Sequence, residues 1–276
     1  MFKFSFNSTT LRYMEIFEAL SQIQAYGYDG VELMLNDSHL HPLRTPDSRV
    51  SEIADFCSGQ GIQIVCVAAG GDRLLSDVPY QPSLIAREES GRRKRIELLK
   101  RSIGIAEVLG SPVLNFNSGP PEEGVSQSEA WNYLREGVSQ LLQHNGDLIL
   151  ALEPEPGFFI GTTTDALALI REIDNPRFCL NLDIGHVNCS EDDCYAAIQR
   201  AVPFARHIHI EDIKQRVHRH EIPGEGDIDF ARVFAILEGA HYEHFISVEL
   251  HHHAELWQRA LGESLQYLRG LSEAQA

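Results

Sequence analysis

Short apolar runs alternate with amphipathic helical patterns eight times along this chain, and that alternation leaves few architectures open. The runs are Lys3–Phe6, Gly30–Leu35, Ile62–Ala68, Val113–Asn117, Asp147–Glu153, Phe178–Asp183, His207–Ile210 and Phe245–Leu250. Between them lie helix-like stretches such as Leu11–Ala25, which places Ile16, Ala19, Leu20 and Ile23 on one face. Gly27, Gly61 and Gly110 each stand between a helix and the next strand, where helices commonly end on glycine. Thr162-Thr163-Thr164 and Ser190-Glu191-Asp192 read as helix N-caps. No linker or low-complexity segment interrupts the series. The pattern predicts a (β/α)8 TIM barrel, one domain over residues 1–276, with helices Leu11–Ala25 and Glu255–Leu271 side by side where it closes. An open doubly wound sheet is the alternative. It loses ground because no G-x-G-x-x-G turn follows the first strand.

Period-two reading of the strands says where chemistry would sit. In Asp147–Glu153, Leu148, Leu150 and Leu152 share one face while Ile149, Ala151 and Glu153 share the other. The same split sets Asn115 and Asn117 against Leu114 and Phe116, and Asn181 and Asp183 against Leu180 and Leu182. It also sets His207 and His209 against Ile208 and Ile210, Ser247 and Glu249 against Val248 and Leu250, and Glu32 against Val31 and Leu33. In a barrel the all-apolar face packs on the helices and the other points inward. Six strands therefore send polar side chains into one interior, toward the C-terminal ends where barrel enzymes keep their active sites.

The last inward acid or imidazole on the final four strands is Glu153, Asp183, His209 and Glu249. Three carboxylates and an imidazole in a closed space repel one another unless a cation compensates them. Pairing with arginine would serve, but the neighbouring strands offer no inward arginine. An oxygen-rich set with one imidazole suits one divalent metal ion: Mn²⁺, Mg²⁺ or Co²⁺, with Zn²⁺ as a further candidate.

Composition narrows the partners. Formal net charge is −17, which opposes nucleic acid, whose affinity for proteins rests largely on Lys and Arg. The densest basic stretch, Arg92-Arg93-Lys94-Arg95, lies in a helical pattern with Ile96, Leu98 and Leu99 and reads as a solvated helix face. No apolar stretch approaches the roughly 18 residues of a membrane span, so no membrane partner is expected. MFKFSFNSTT reads as the start of a strand and not as a signal peptide, and five irregularly spaced cysteines do not form a disulfide framework. The expectation is a cytoplasmic protein acting on a small molecule; a homo-oligomer is compatible with the sequence but not specified by it.

The stretches "LEPEPG", "LDIGHV", "HIHIED", "IPGEGDIDF" and "VEL" resemble, in order and at the corresponding strands, the signature segments of the xylose isomerase-like barrel superfamily. The likeness is to its sugar (phosphate) isomerase/epimerase members and covers nearly the whole chain. Each motif alone is short; five in register are specific for the superfamily and silent about substrate. The resemblance implies that Glu153, Asp183, His209 and Glu249 are metal ligands and that His186 contacts substrate. "HRHEIPGEG" is similar to the Asp-Arg-His segment of the related apurinic endonucleases, with His218 in place of their Asp and His220 matching their His. Those enzymes also need histidines at the ends of strands three and four, where this chain has Ala68-Ala69 and Asn117. DNA repair is therefore a minor alternative.

The resemblance implies a metal-dependent isomerase or epimerase. Proton transfer between Glu153 and Glu249, on opposite sides of the substrate carbon, would pass through an enediolate. The substrate would be a keto sugar, polyol or cyclitol, unphosphorylated because no phosphate loop is evident. Dehydration of the inosose or dehydroshikimate type on the same site is an alternative, as is a non-catalytic sugar-binding or accessory barrel. Asn117, Glu155, His186, His218, Arg219, His220 and His251 are candidate substrate contacts. Glu32, nearer mid-strand, reads as a structural hydrogen-bond partner, and His252 and His253 as solvated.

Overall fold

The computed structural model describes residues 2–71, 73–144 and 146–275. The alternating strands are β1 (Lys3–Asn7), β2 (Gly30–Met34), β3 (Ile64–Ala68), β4 (Val113–Asn117), β5 (Ile149–Glu153), β6 (Phe178–Asp183) and β7 (Ala205–Ile210). A small hairpin, β8 (Asp212–Lys214) and β9 (Val217–Glu221), follows before the last barrel strand, β10 (Phe245–Val248). Eight of these strands close in the order β1-β10-β7-β6-β5-β4-β3-β2. Every barrel pair is parallel, and closure is made by Phe4 beside Ile246 and Ser5 beside Ser247. The closed (β/α)8 TIM barrel expected from the alternation is the architecture found.

The helices cover the apolar outer face of the strands. They are α1 (Ile16–Ala25), α2 (Asp47–Gln60), α3 (Glu89–Val108), α4 (Gln127–His144), α5 (Thr163–Ile173), α6 (Ile184–Ser190), α7 (Cys194–Ala201), α8 (Phe230–Gly239) and α9 (Trp257–Gln275). Phe4 and Phe6 on β1, and Phe234 on α8, are fully buried in the layer between sheet and helices. α9 packs on the end of α1 at the closure: the Tyr28 hydroxyl donates to Leu261 O at 2.9 Å, and the Tyr26 and Trp257 rings lie 6.3 Å apart.

Four local expectations need correction. Of Arg92-Arg93-Lys94-Arg95, read as a solvated helix face, Arg95 turns inward, only 7 % exposed, and donates to Pro82 O at 2.9 Å. Helix Leu11–Ala25 is two pieces, because Glu15 caps the amide of Phe17 and restarts the chain as α1 after a 3₁₀ turn at Ser8–Leu11. The cap of α7 is Asp193 and not Ser190-Glu191-Asp192. Ser190 instead ends α6, an extra helix capped by Asp183, and Glu191 is drawn off to accept from the amide and hydroxyl of Thr163. Finally, α9 starts at Trp257, after a 3₁₀ turn at Ala254–Leu256. Thr162 does cap α5, accepting from Asp165 N. No described helix is long and apolar enough to cross a membrane.

Phe234 meets Phe2 and Phe4 with ring centroids 5.0 and 6.1 Å away. Phe234→Ala should therefore cost about 3–5 kcal/mol in urea unfolding, with helix content by circular dichroism unchanged. A loss below about 1 kcal/mol would contradict this packing.

Candidate functional site

Glu153 and Asp183 are the last residues of β5 and β6, His209 lies one residue before the end of β7, and Glu249 follows β10 directly. The pairing register sets Asp183 beside His209, and His209 beside Ser247. All four side chains are buried, and their ligand-type atoms lie within 4.8 Å of one another. His209 Nδ1 is 2.9 Å from Glu153 Oε1, 3.4 Å from Glu249 Oε2 and 3.7 Å from Asp183 Oδ2. Asp183 Oδ2 is buried and accepts no hydrogen bond. Three carboxylates converging on one imidazole nitrogen, with an oxygen left over, fit a hard or borderline divalent ion.

A further layer of buried partners orients this set. Glu32 Oε1 lies 2.8 Å from His209 Nε2; with the imidazole proton held there, the Nδ1 lone pair would be free for an ion among the carboxylates. Its other oxygen is 3.2 Å from His207 Nε2, which also meets Ser247 Oγ at 2.9 Å. Complete burial opposes ionisation of Glu32, but His209 and His207 outweigh it and hold the carboxyl well below its usual range. The structural role expected for Glu32 is the one found. Asn115 Nδ2 donates to Glu153 Oε2 at 2.9 Å, and Asn7 Nδ2 donates to Glu249 Oε1 at 3.0 Å. For Glu249 too, burial works against the charge, yet His209 and His251 lower its pKa to about 2.

Sequence reasoning missed Asn7, which extends β1 one residue past its expected end with the inward parity of Ser5. Glu211, also missed, is fully buried, and neither of its carboxylate oxygens has a hydrogen-bond partner. It has the inward parity of His209, so continuing the alternation past Ile210 would have found it.

A cleft of about 620 Å³ opens above the four residues, lined among others by Asn117, Glu155, His186, His218, His220 and His251. His186 Nδ1 donates to Pro154 O at 3.0 Å, so Nε2 is the free nitrogen; it lies 3.6 Å from Asp183 Oδ2 and 3.9 Å from Glu155 Oε1. Imidazoles form a continuous wall, with centroids 4.6 Å apart for His186–His218, 5.7 Å for His186–His220 and 5.0 Å for His220–His251. Burial, reinforced by neighbouring imidazoles, lowers His218 to about 4 and His220 to about 3, so both are neutral near pH 7. Burial would lower His186 as well, but Asp183, Glu155 and Glu153 raise it to about 9. Glu155 is pushed up to about 7, chiefly by desolvation and against the pull of His186.

The hairpin carrying His218 and His220 is fastened by Asp212, which accepts from Ile228 N at 3.1 Å and Gly224 N at 2.9 Å. Strand alternation within β9 turns Arg219 away from the cleft, and contrary to expectation its side chain is 66 % exposed, beside Glu221. His252 is exposed as expected, whereas His253 is buried.

The model of the xylose isomerase-like TIM barrel matches residues 20–271. L-Ribulose-5-phosphate 3-epimerase UlaE of Shigella flexneri serotype 5b is 22 % identical over 229 residues, covering 82 % of this chain and 78 % of the relative. Among solved structures, the 3-keto-D-glucoside 4-epimerase YcjR of E. coli superposes with a TM-score of 0.81 at 20 % identity, covering 98 % of this chain and 100 % of the other. The IolI protein, solved with a bound zinc atom, gives 0.78 at 19 % identity, covering 98 % and 96 %. The chain belongs to the xylose isomerase-like TIM barrel family.

Proposed function

We propose that this protein is a divalent-metal-dependent sugar epimerase that transfers a proton at a carbon next to a ketone, on an unphosphorylated keto sugar or cyclitol. The observation that carries the reading is the pair Glu153 and Glu249. They come from strands on either side of β7, approach the same nitrogen of His209, and each has one oxygen steadied by an asparagine amide. Two carboxylates opposed in this way can address both faces of a carbon lying between them, as proton exchange with inversion requires. The printed names of the relatives, among them L-ribulose-5-phosphate 3-epimerase, D-allulose 3-epimerase and D-psicose 3-epimerase, support a sugar epimerase.

In this reading Glu153, Asp183, His209 and Glu249 hold the ion, which when bound supplies Lewis-acid stabilisation of negative charge on the substrate's carbonyl oxygen. One of Glu153 and Glu249 accepts the proton and the other returns one to the opposite face. Proton return at the neighbouring carbon would instead give isomerisation. Neutral His220 and His218 offer hydrogen bonds to substrate hydroxyls, while Asn117 and His251 complete the wall. Beneath the two glutamates the barrel is filled by Ser5, Glu32, His207 and Ser247, all fully buried.

Asp183→Ala removes a ligand and should sharply lower the occupancy of Mn²⁺ or Co²⁺ measured by elemental analysis after gel filtration; wild-type occupancy would refute the assignment. Metal affinity in the unaltered protein should weaken on acidification, because protons compete for three carboxylates and an imidazole; this can be read by calorimetric titration at descending pH.

Glu153→Gln and Glu249→Gln preserve shape and an oxygen donor but remove the base. Each should lower solvent-deuterium exchange into a keto-sugar substrate by at least about 10²-fold while the metal is retained. Exchange at the wild-type rate in either variant would sink the two-glutamate mechanism.

A further inference from the structure

A second concavity, of about 600 Å³, lies beside the barrel mouth and shares no lining residue with the cleft above the glutamates. It runs between the N-terminal ends of α4 and α5. Glu122 and Val125 come from the β4–α4 connection, Trp131 from α4, Phe158 and Phe159 from the β5–α5 connection, and Asp165 from the first turn of α5. Phe158 meets Tyr80, a residue of the cleft lining, edge-on with centroids 4.8 Å apart, and this pair of rings stands between the two spaces. The proton-transfer reading makes no use of the groove.

Its walls are aromatic and its charge is of one sign. Trp131 and Phe159 make a corner, with centroids 6.4 Å apart and planes at 67°. The indole N–H is already committed to Glu172 Oε2 at 2.7 Å, so the corner offers a ligand π surface and not a hydrogen bond. The backbone fixes both phenylalanines: Phe158 N donates to Glu155 O at 2.9 Å and Phe159 N to Gly119 O at 3.0 Å. Glu122 and Asp165 line the groove, and no Lys, Arg or His does. Arg87, nearby, packs against Gly124, and Arg135 lies 3.6 Å from Glu172. The two helix N-termini do not reverse that sign, because each is capped from within. Ser126 Oγ accepts from Glu129 N at 3.3 Å, and Thr162 Oγ1 accepts from Asp165 N at 3.2 Å. Aromatic faces attract a cation through their quadrupole, as the carboxylates do through their charge. An anion would be repelled by both, and a neutral apolar group would leave the carboxylates facing a surface that cannot pair with them.

We infer that this groove binds an organic ammonium ion carried by a small molecule free in solution. Its methyl or methylene groups lie against Trp131 and Phe159, and Glu122 and Asp165 balance its charge. The volume falls within the roughly 300–1,000 Å³ of small-molecule pockets, and a net charge of −17 draws cations toward the chain at long range. The site is separate from the four residues at the strand ends, so it stands whether or not Glu153 and Glu249 move protons.

Trp131 and Trp257 are the two tryptophans of the chain, so in Trp257→Phe the indole beside the groove is the one that reports. Titration of that protein with choline should give a saturable change in fluorescence with a Kd of about 1 mM or tighter. The uncharged alcohol in which carbon replaces the nitrogen should bind at least about tenfold more weakly. Glu122→Gln combined with Asp165→Asn should weaken choline about tenfold, with circular dichroism unchanged. By calorimetry, Trp131→Leu should abolish choline binding, whereas Trp131→Phe, which keeps a ring, should retain part of it. No saturable response to choline, equal affinity for the uncharged alcohol, or undiminished affinity in the doubly neutralised protein would each overturn the inference. So would co-sedimentation with phosphatidylcholine vesicles in the absence of binding to free choline, which would move the ammonium group to a membrane surface.

Discussion

Three carboxylates and an imidazole held within 4.8 Å of one another, buried in the barrel interior, are the constraint around which this molecule is organised. Charge in such a place is costly unless paired, and pairing must come from groups that are themselves buried and satisfied. Glu32 meets that demand from the opposite side of the barrel. It spans His207 and His209, and the other nitrogen of His209 lies beside Glu153, Asp183 and Glu249. Asn7 and Asn115 then fix the two glutamates that face each other across that nitrogen. Among the buried atoms without hydrogen-bond partners, Asp183 Oδ2 and His186 Nε2 face the space where a cation and a polar ligand would lie.

The two halves of the barrel mouth are built differently. On the side of β5 to β10 the connections are used to wall the site with imidazoles, delivered by α6 and by the β8–β9 hairpin that Asp212 fastens down. On the side of β2 and β3 the loops are long and bring Tyr80, Leu74 and Asn36 to the lining. A barrel permits this division because its strands form a stable frame whichever loops they bear, so different surfaces can be built on separate arcs.

Much of this was legible in the chain itself. Eight apolar runs spaced by amphipathic helices leave a closed barrel as the arrangement that covers both faces of every strand. Alternation along each strand then says which side chains point inward, which is how Glu153, Asp183, His209 and Glu249 could be grouped before any coordinates. Errors arose where that periodicity was not carried through. Arg219 was grouped with His218 and His220 as one loop, yet those residues form a strand whose alternation sends it outward. Asn7 and Glu211 lay one residue beyond the expected limits of their runs and so were not weighed, although both share the inward parity of the residues before them.

Period and polarity are local properties of the chain, and they were enough to place the eight strands, the inward face of each and the acids and imidazole at their ends. Which partners complete that group depends on contacts between segments far apart in the chain. Asn7 reaches Glu249 across 242 positions and Glu32 reaches His209 across 177, through the closure that brings β1 and β2 around to β10 and β7. The length of the cleft was likewise set by closure, since β2 and β3 become the far wall of the site on β6 and β7 only once the sheet has curled into a ring. No local pattern encodes that distance, because it depends on where all eight strands stand relative to one another.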